Sequence, residues 1–325
     1  MRQALGRLAA LAACVFAATA QAQDPAQAYP TKTIRIVVGF PPGGATDTLA
    51  RMAAARLQEH WSQPVVVENR AGAAGNIAHE AVAKAAGDGY TLLFTSTPLT
   101  INPSLYKSVG YDPIRDFAPV TMLATVPSLL LVPANSPSAT FEQFLAATRA
   151  APGKMNYASA GSGTPQHLAM ELLKSMAGLD VVHVPYKGGA AAITVLLAAQ
   201  SDSMFAAFPE AVPYIKGGRL RALAISSKKR SPLMPTVRTI DESGVAGFEV
   251  VGWQGLLAPA AVPKSIVDKL HGVILEGMQR PEVKARFDTM GLDFSGAGPD
   301  EFRAFLRGEV GKWAKVVAQS GAKVD

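Results

Sequence analysis

Cysteine is almost missing from this chain of 325 residues: there is one, Cys14. Charge is sparse as well, at 17% of residues, while apolar residues make up 49%, so the bulk of the chain is not disordered. After residue 22 no apolar run reaches the roughly 18 residues that a membrane-spanning helix needs; the best candidate, Ala190–Ala199, suits a buried helix. The five histidines, His60, His79, His167, His183 and His271, are scattered and form no His-Glu-x-x-His pair, so no metal site is expected. Other signatures are missing too. There is no Walker lysine motif and no Gly-x-Gly-x-x-Gly fingerprint, so no nucleotide cofactor is expected. Gly161-Ser162-Gly163 lacks the spacing of a Gly-x-Ser-x-Gly nucleophile elbow, which argues against a hydrolase of that kind.

The one cysteine belongs to an N-terminal segment that reads as a leader. Arg2 and Arg7 are followed by an uncharged apolar run, Leu8–Ala18, and then by Ala20-Gln21-Ala22 before Gln23. That is the order of a secretory signal peptide over residues 1–22, and export to the periplasm is expected. Leu11-Ala12-Ala13-Cys14 also resembles a lipobox, which would leave Cys14 as a lipidated N-terminus; the apolar run continues past it to the Ala-x-Ala site. Without the leader there is no thiol for a disulfide or cysteine-metal site. The formal charge falls from +6 to +4, since the leader carries two arginines and no acid. Lys228-Lys229-Arg230 is the one dense basic block, and no nucleic-acid partner is expected.

What is present is turn chemistry: 29 glycines and 23 prolines, against about 39 expected for the two together at average usage. They recur in a unit of short strand, glycine- or proline-rich turn, and helix-compatible stretch. Ile34–Val38 precedes Pro41-Pro42-Gly43-Gly44 and Thr46–His60; Val65–Val67 precedes Ala71–Gly75 and Asn76–Ala86; Thr91–Thr95 is a third strand. Met155–Ala158 leads into Ser159–Thr164 and Pro165–Ala177, and Val181–Val184 into Pro185–Gly189 and Ala190–Gln200. This alternation predicts βαβ units in doubly wound α/β sheets. Two apolar segments, Val120–Val132 (broken at Pro127) and Phe248–Ala258, separate the sets, and the remainder reads as helical: Lys264–Gln279, Pro281–Met290 and Asp300–Gln319. The expected organisation is a discontinuous first lobe (24–124 plus 252–325), a second lobe (125–251) and a double hinge between them. Ligands of open α/β sheets bind beyond the carboxyl ends of the strands, so the expected site is an interlobe cleft.

The glycine loops stand where a strand ends and a helix begins, and a helix start presents free N–H groups to an anion. Pro41–Thr46 and Ala71–Asn76 would face Ser159–Thr164 and Lys187–Ala190 across the cleft. The serine loop offers Ser159, Ser162 and Thr164 hydroxyls at one helix start, with Gly161 and Gly163 allowing close backbone approach. Asp47 either orients the first loop or meets a ligand; His167 either contacts ligand or braces its loop. Tyr186 offers packing area and a hydroxyl, and Lys187 either pairs with a carboxylate or stays on the surface. Ser162 with His167 is the one nucleophile–base candidate for a periplasmic hydrolase.

At these loops the sequence resembles the substrate-binding proteins of tripartite tricarboxylate transporters, the Bug (Bordetella uptake gene) family. The matching segments are Tyr29-Pro30 with Ile34–Val38, Phe40–Gly44 with Asp47 and Arg51, Val67–Arg70 with Gly72-Ala73, Asp88–Leu92, Tyr111–Pro113 with Asp116-Phe117, and Pro152–Lys154. They continue through Gly161, Gly163 and His167-Leu168, then Val184–Gly188, Leu220–Ala224, Trp253 and Ala258-Pro259. The resemblance implies a periplasmic, two-lobed Venus-flytrap binding protein of type II topology, monomeric, without cofactor or catalytic residues. It would deliver a small organic carboxylate to membrane permease subunits; the same fold serving a sensor protein is the alternative. Carried over by motif, the ligand contacts are Phe40, Gly43, Gly44 and Asp47 from one lobe. From the other they are Ser159, Gly161, Gly163, Thr164, His167, Tyr186 and Gly188, and the loop reading adds Ser162 and Lys187. One departure stands out. Ala206-Ala207-Phe208 occupies the place where the family commonly has an acidic residue linked with amine-bearing ligands, which favours an amine-free carboxylate with an apolar body beside Phe208.

Overall fold

The computed structural model describes residues 24–322; the leader, Cys14 and the Ala-x-Ala site lie outside the described residues. A short helix, α1 (Pro25–Ala28), precedes β1 (Ile34–Val38), α2 (Ala45–Trp61), β2 (Val65–Asn69), α3 (Asn76–Ala83), β3 (Thr91–Ser96) and α4 (Pro98–Leu105). A long strand, β4 (Phe117–Pro133), leads to α5 (Phe141–Ala150), β5 (Asn156–Ser159), α6 (Pro165–Ala177), β6 (Val182–Pro185), α7 (Gly189–Leu197), β7 (Ser203–Ala207), α8 (Phe208–Lys216) and β8 (Leu220–Ile225). The chain returns through β9 (Val251–Pro259) and ends with α9 (Lys264–Met278), α10 (Pro281–Thr289), β10 (Asp293–Ala297) and α11 (Pro299–Ser320).

The strands form two sections of a curled sheet with the same plan. In the first, the order is β2-β1-β3-β9-β4, with β10 on β4; β1, β2 and β3 are parallel and β9 runs against them. In the second, the order is β6-β5-β7-β4-β8, with β5, β6 and β7 parallel and β4 running against β7 and β8. Each section thus repeats one pattern: second strand, first strand, third strand, then a strand entering from the other section. This is the type II, two-lobed fold.

β4 joins the two sections. Residues Phe117 to Pro127 pair with β9, and Ser128 to Pro133 pair with β7 and β8. Pro127, read from sequence as a break between two runs, lies within one continuous strand. It sits where β4 changes partners, a place where a missing N–H costs the ladder little. β10 corrects the reading of the C-terminal region as purely helical. Its sequence, Asp-Phe-Ser-Gly-Ala, contains no β-branched residue, and the strand exists through antiparallel pairing with the edge of β4.

Side chains alternate across each sheet and fill a core on both faces. Ile34, Ile36 and Val38 pack with Leu49 and Ala53 of α2 and Ile266 and Leu270 of α9; Val37 and Leu93 face Val82, Trp253 and Phe302. In the second section Leu130, Tyr157 and Phe205 pack under α5 and α6, and Leu129, Ala158 and Met204 under α7 and α8. The last helix spans both sections. Phe302 and Leu306 of α11 belong to a core of the first, whereas Trp313, Val316 and Val317 belong to a core of the second. A helix of 22 residues reaches about 33 Å, long enough to pack on both.

Candidate functional site

The carboxyl ends of β1, β3, β5 and β7 feed helix starts that meet at one cleft of about 500 Å³. Gly43, Ala45 and Thr48 line it at the start of α2, and Ser96, Thr97 and Pro98 at the start of α4. Across from them stand Pro165 and Gln166 of α6, and Ala207, Pro209 and Glu210 of α8. Pro98, Pro165 and Pro209 each occupy the first turn of their helix, where no intrahelical N–H is needed and φ is already suitable. The back wall is made by the crossing strands, with Val126, Ser128 and the stretch Val250–Gln254; Trp313 closes one side. Among the described residues no lysine, arginine or histidine lines this cleft. Its attraction for anions comes from the positive ends of helices. Two polar atoms on the back wall, Trp253 Nε1 and Gln254 Oε1, are buried without a hydrogen-bond partner within the protein.

With this geometry in view, the comparisons are specific. The family described as the tripartite tricarboxylate transporter family receptor matches residues 49–322. The chain belongs to that family. It is 39% identical, over 97% of its length and 95% of the relative's, to a UPF0065 protein in the tcbD–tcbE intergenic region of Pseudomonas sp. strain P51. It is 38% identical to protein BugT of Bordetella pertussis over 95% of this chain and 96% of that one. Among solved structures, R. palustris Rpa4515 with adipate is 34% identical with a TM-score of 0.75, covering 91% of this chain and all of the other (100%). MatC from Rhodopseudomonas palustris with bound malate is 32% identical with a TM-score of 0.71, over 89% of this chain and 100% of that one. This protein is therefore a solute-binding receptor of the periplasmic binding-protein type. No helix among the described residues is long and apolar enough to cross a membrane.

Asp47 is a brace. It is buried, accepts from the Gly43 N–H (3.0 Å) and Arg51 Nε (2.9 Å) on one oxygen, and from Asn69 Nδ2 (2.9 Å) on the other. Asn69 also donates to the Phe40 carbonyl at 3.0 Å, so Phe40 is held through its backbone and does not line the cleft. The Arg51 hydrogen bond is the chief cause that holds the Asp47 carboxyl down at about 2, against burial that pushes it up. Gly43, at φ +90°, reaches the cleft, and Gly44 caps α2 beside it. Of the two roles open to Asp47 from sequence, the geometry supports orientation of the loop.

The serine loop is built in the same way. His167 is buried and its Nδ1 accepts from the Gly163 N–H at 2.9 Å. Its ring stacks on His183 with centroids 3.9 Å apart; burial, and secondarily His183, lowers its pKa to about 4. Ser159 is fully buried, accepts from the Gly161 N–H (3.1 Å) and lies 2.6 Å from His183 Nε2. Thr164 caps α6, and its hydroxyl donates to the Gly161 carbonyl at 2.8 Å. These hydrogen bonds hold the loop's shape. Ser162, Gly163 and Thr164 line a separate side cleft of about 200 Å³ against Leu105 and Tyr106 of the first section. Among the described residues no hydrogen bond joins Ser162 to His167, whose Nδ1 is taken by the Gly163 N–H.

Tyr186, Lys187 and Gly188 line neither cleft. Their loop is tied to the serine loop, with Tyr186 N–H donating to the Ser159 carbonyl (3.0 Å) and Gly188 N–H to the Ala160 carbonyl (3.1 Å). Phe208, expected beside the ligand, is fully buried under α8. Glu210, an exposed residue, is on the wall instead; partial desolvation raises its carboxyl above the usual value, against a backbone hydrogen bond from Ala207. The sequence reading also missed Ser96-Thr97-Pro98, Gln254 and Trp313. Ser96-Thr97-Pro98 carried a usable signal, a strand end followed by hydroxyls and a first-turn proline; Gln254 and Trp313 carried none, because their place depends on the crossing strands and the last helix.

Proposed function

We propose that this receptor captures a small organic carboxylate in the interlobe cleft and presents the closed, loaded form to the permease subunits of a tripartite transporter. The observation that carries the reading is the convergence of four helix starts, two from each section, on one cleft whose wall, among the described residues, holds no basic side chain. Backbone N–H groups at helix starts bind carboxylate without a counter-cation. Adipate and malate in the two R. palustris structures support the ligand class. Two lobes, 24–124 with 252–325 and 125–251, close around the ligand on the paired crossings of β4 and β9. The proposal includes export to the periplasm by the leader and action as a monomer.

Calorimetry and thermal-shift screening of the mature protein against organic acids test this, together with native mass spectrometry of co-purified ligand. Stabilisation by at least one carboxylate, growing with its concentration, is the expected result. No stabilisation across a broad panel, with no acid retained through purification, would overturn it.

A further inference from the structure

Gln254 stands on the back wall of the main cleft, 9% exposed, and its Oε1 is buried with no hydrogen-bond partner among the described residues. Buried polar atoms are nearly always paired, because one left alone keeps the full cost of losing its water. The register of β9 sets what surrounds it. Gln254 lies opposite Ser96 of β3 on one side and Ala124 of β4 on the other, so the three side chains share one face of the sheet. Ala124 offers only a methyl group. Ser96 and, from the first turn of α2, Thr48 line the cleft with Gln254. Trp253, next along the strand, turns to the opposite face and packs its indole on Phe302. The wall beside the starts of α2 and α4 thus carries an uncharged amide and two hydroxyls.

We propose that Gln254 is the specificity-determining residue of this cleft and selects a carboxylate that also bears a hydroxyl group, a hydroxy acid, over the matching acid without one. The proposal deepens the carboxylate-receptor reading and rests on it. The carboxylate is held at the helix starts, and the hydroxyl turns to Gln254 and Ser96. An amide accepts at its oxygen and donates at its nitrogen, and a hydroxyl answers both. A second carboxylate has no proton to give, so it leaves Oε1 unpaired, and among the described residues no basic side chain lines the cleft to offset its charge. A methylene in the same place leaves both ends of the amide unpaired. A site built to bond a hydroxyl discriminates against an analogue that lacks it for that reason. Sequence carried no sign of this residue, since its partners come from three separate strands and helices.

Isothermal titration calorimetry on the mature protein tests the proposal with pairs of short straight-chain acids, each 2- or 3-hydroxy acid against the same acid without its hydroxyl. Wild-type protein is expected to bind its best hydroxy acid about tenfold or more tighter than the matched acid. Gln254→Leu is expected to bring that ratio close to one, chiefly by weakening the hydroxy acid. Ser96→Ala, which leaves the amide in place, is expected to lower the ratio by a smaller factor. Without ligand, the urea midpoint of Gln254→Leu is expected to match or exceed that of wild type, because an unpaired buried group has been removed. Matched acids binding as tightly as every hydroxy acid in wild type, or a ratio unaltered in both variants, would overturn the proposal and leave the carboxylate receptor standing. So would a lower midpoint in Gln254→Leu with equal loss of both acids, which marks a purely structural residue. Failure of every acid to bind wild type would overturn the receptor reading and the proposal together.

Discussion

At the scale of single residues, the cleft depends on side chains that never touch it. Asp47 orders the Gly43 loop through three accepted hydrogen bonds, and a buried acceptor of that kind is expensive to remove because its donors are left unpaired. Asp47→Ala should destabilise the protein by roughly 2–3 kcal/mol and weaken ligand binding; Arg51 is half exposed, so its share of that loss is the smaller one. Urea titration and calorimetry on the same variant check both. His167 gives a pH dependence whose sign follows from its lowered pKa. Above its ordinary value of 6.5 the imidazole is neutral in folded and unfolded chains alike. As pH falls toward about 4 the unfolded chain binds a proton that the folded chain does not, so stability is lost through this window. His167 alone contributes roughly 3 kcal/mol to that loss, and buried His79, lowered to about 3, acts in the same direction. Urea midpoints between neutral pH and pH 4 should fall steadily, and His167→Gln should flatten the slope; an unchanged slope counts against the assignment.

At the scale of elements, the turn between β5 and α6 does two jobs at once. Gly163 has φ +76°, and a Cβ there would fall 2.5 Å from Leu105 Cδ2 of α4. A bulky residue at this position therefore collides with the other lobe, and does more than obstruct a ligand. Gly163→Val should cost roughly 1–3 kcal/mol from overpacking and the left-handed backbone, and adding Leu105→Ala should return part of it. A double-mutant cycle in urea measures the coupling; strictly additive effects would place the strain elsewhere. The loops themselves were legible in sequence, since Gly43, Gly161 and Gly163 are typical where a strand turns sharply into a helix. Their contents were not. Whether Ser159, Asp47 or His167 faces ligand or its own backbone depends on neighbours such as Asn69 and His183, which lie 22 and 24 residues away from Asp47 and Ser159.

At the scale of the whole molecule, the two sections are tied by β4, β9 and α11. Trp313 is buried in a core of the second section, donates its Nε1–H to Glu309 at 2.8 Å and closes one side of the main cleft. Trp313→Ala should cost roughly 3–5 kcal/mol, and should also weaken ligand binding by opening that wall. Thermal denaturation with and without ligand distinguishes the two effects, since a purely structural role would leave the ligand-induced shift intact.

The residues alone determined the strand–turn–helix rhythm, the pairing of two sets of units and the family, because period and turn chemistry are local and the quoted segments run in order along most of the chain. They also placed the glycine loops at strand ends. Tertiary structure alone decided which polar groups look into the cleft. Glu210 and not Phe208, Gln254 and not Tyr186, line it, since which residues meet there depends on how helix starts and crossing strands far apart in sequence are packed together. It also packed the last helix on both sections, because its length of 22 residues says how far it reaches and only the packing of Phe302 and Trp313 says what it joins.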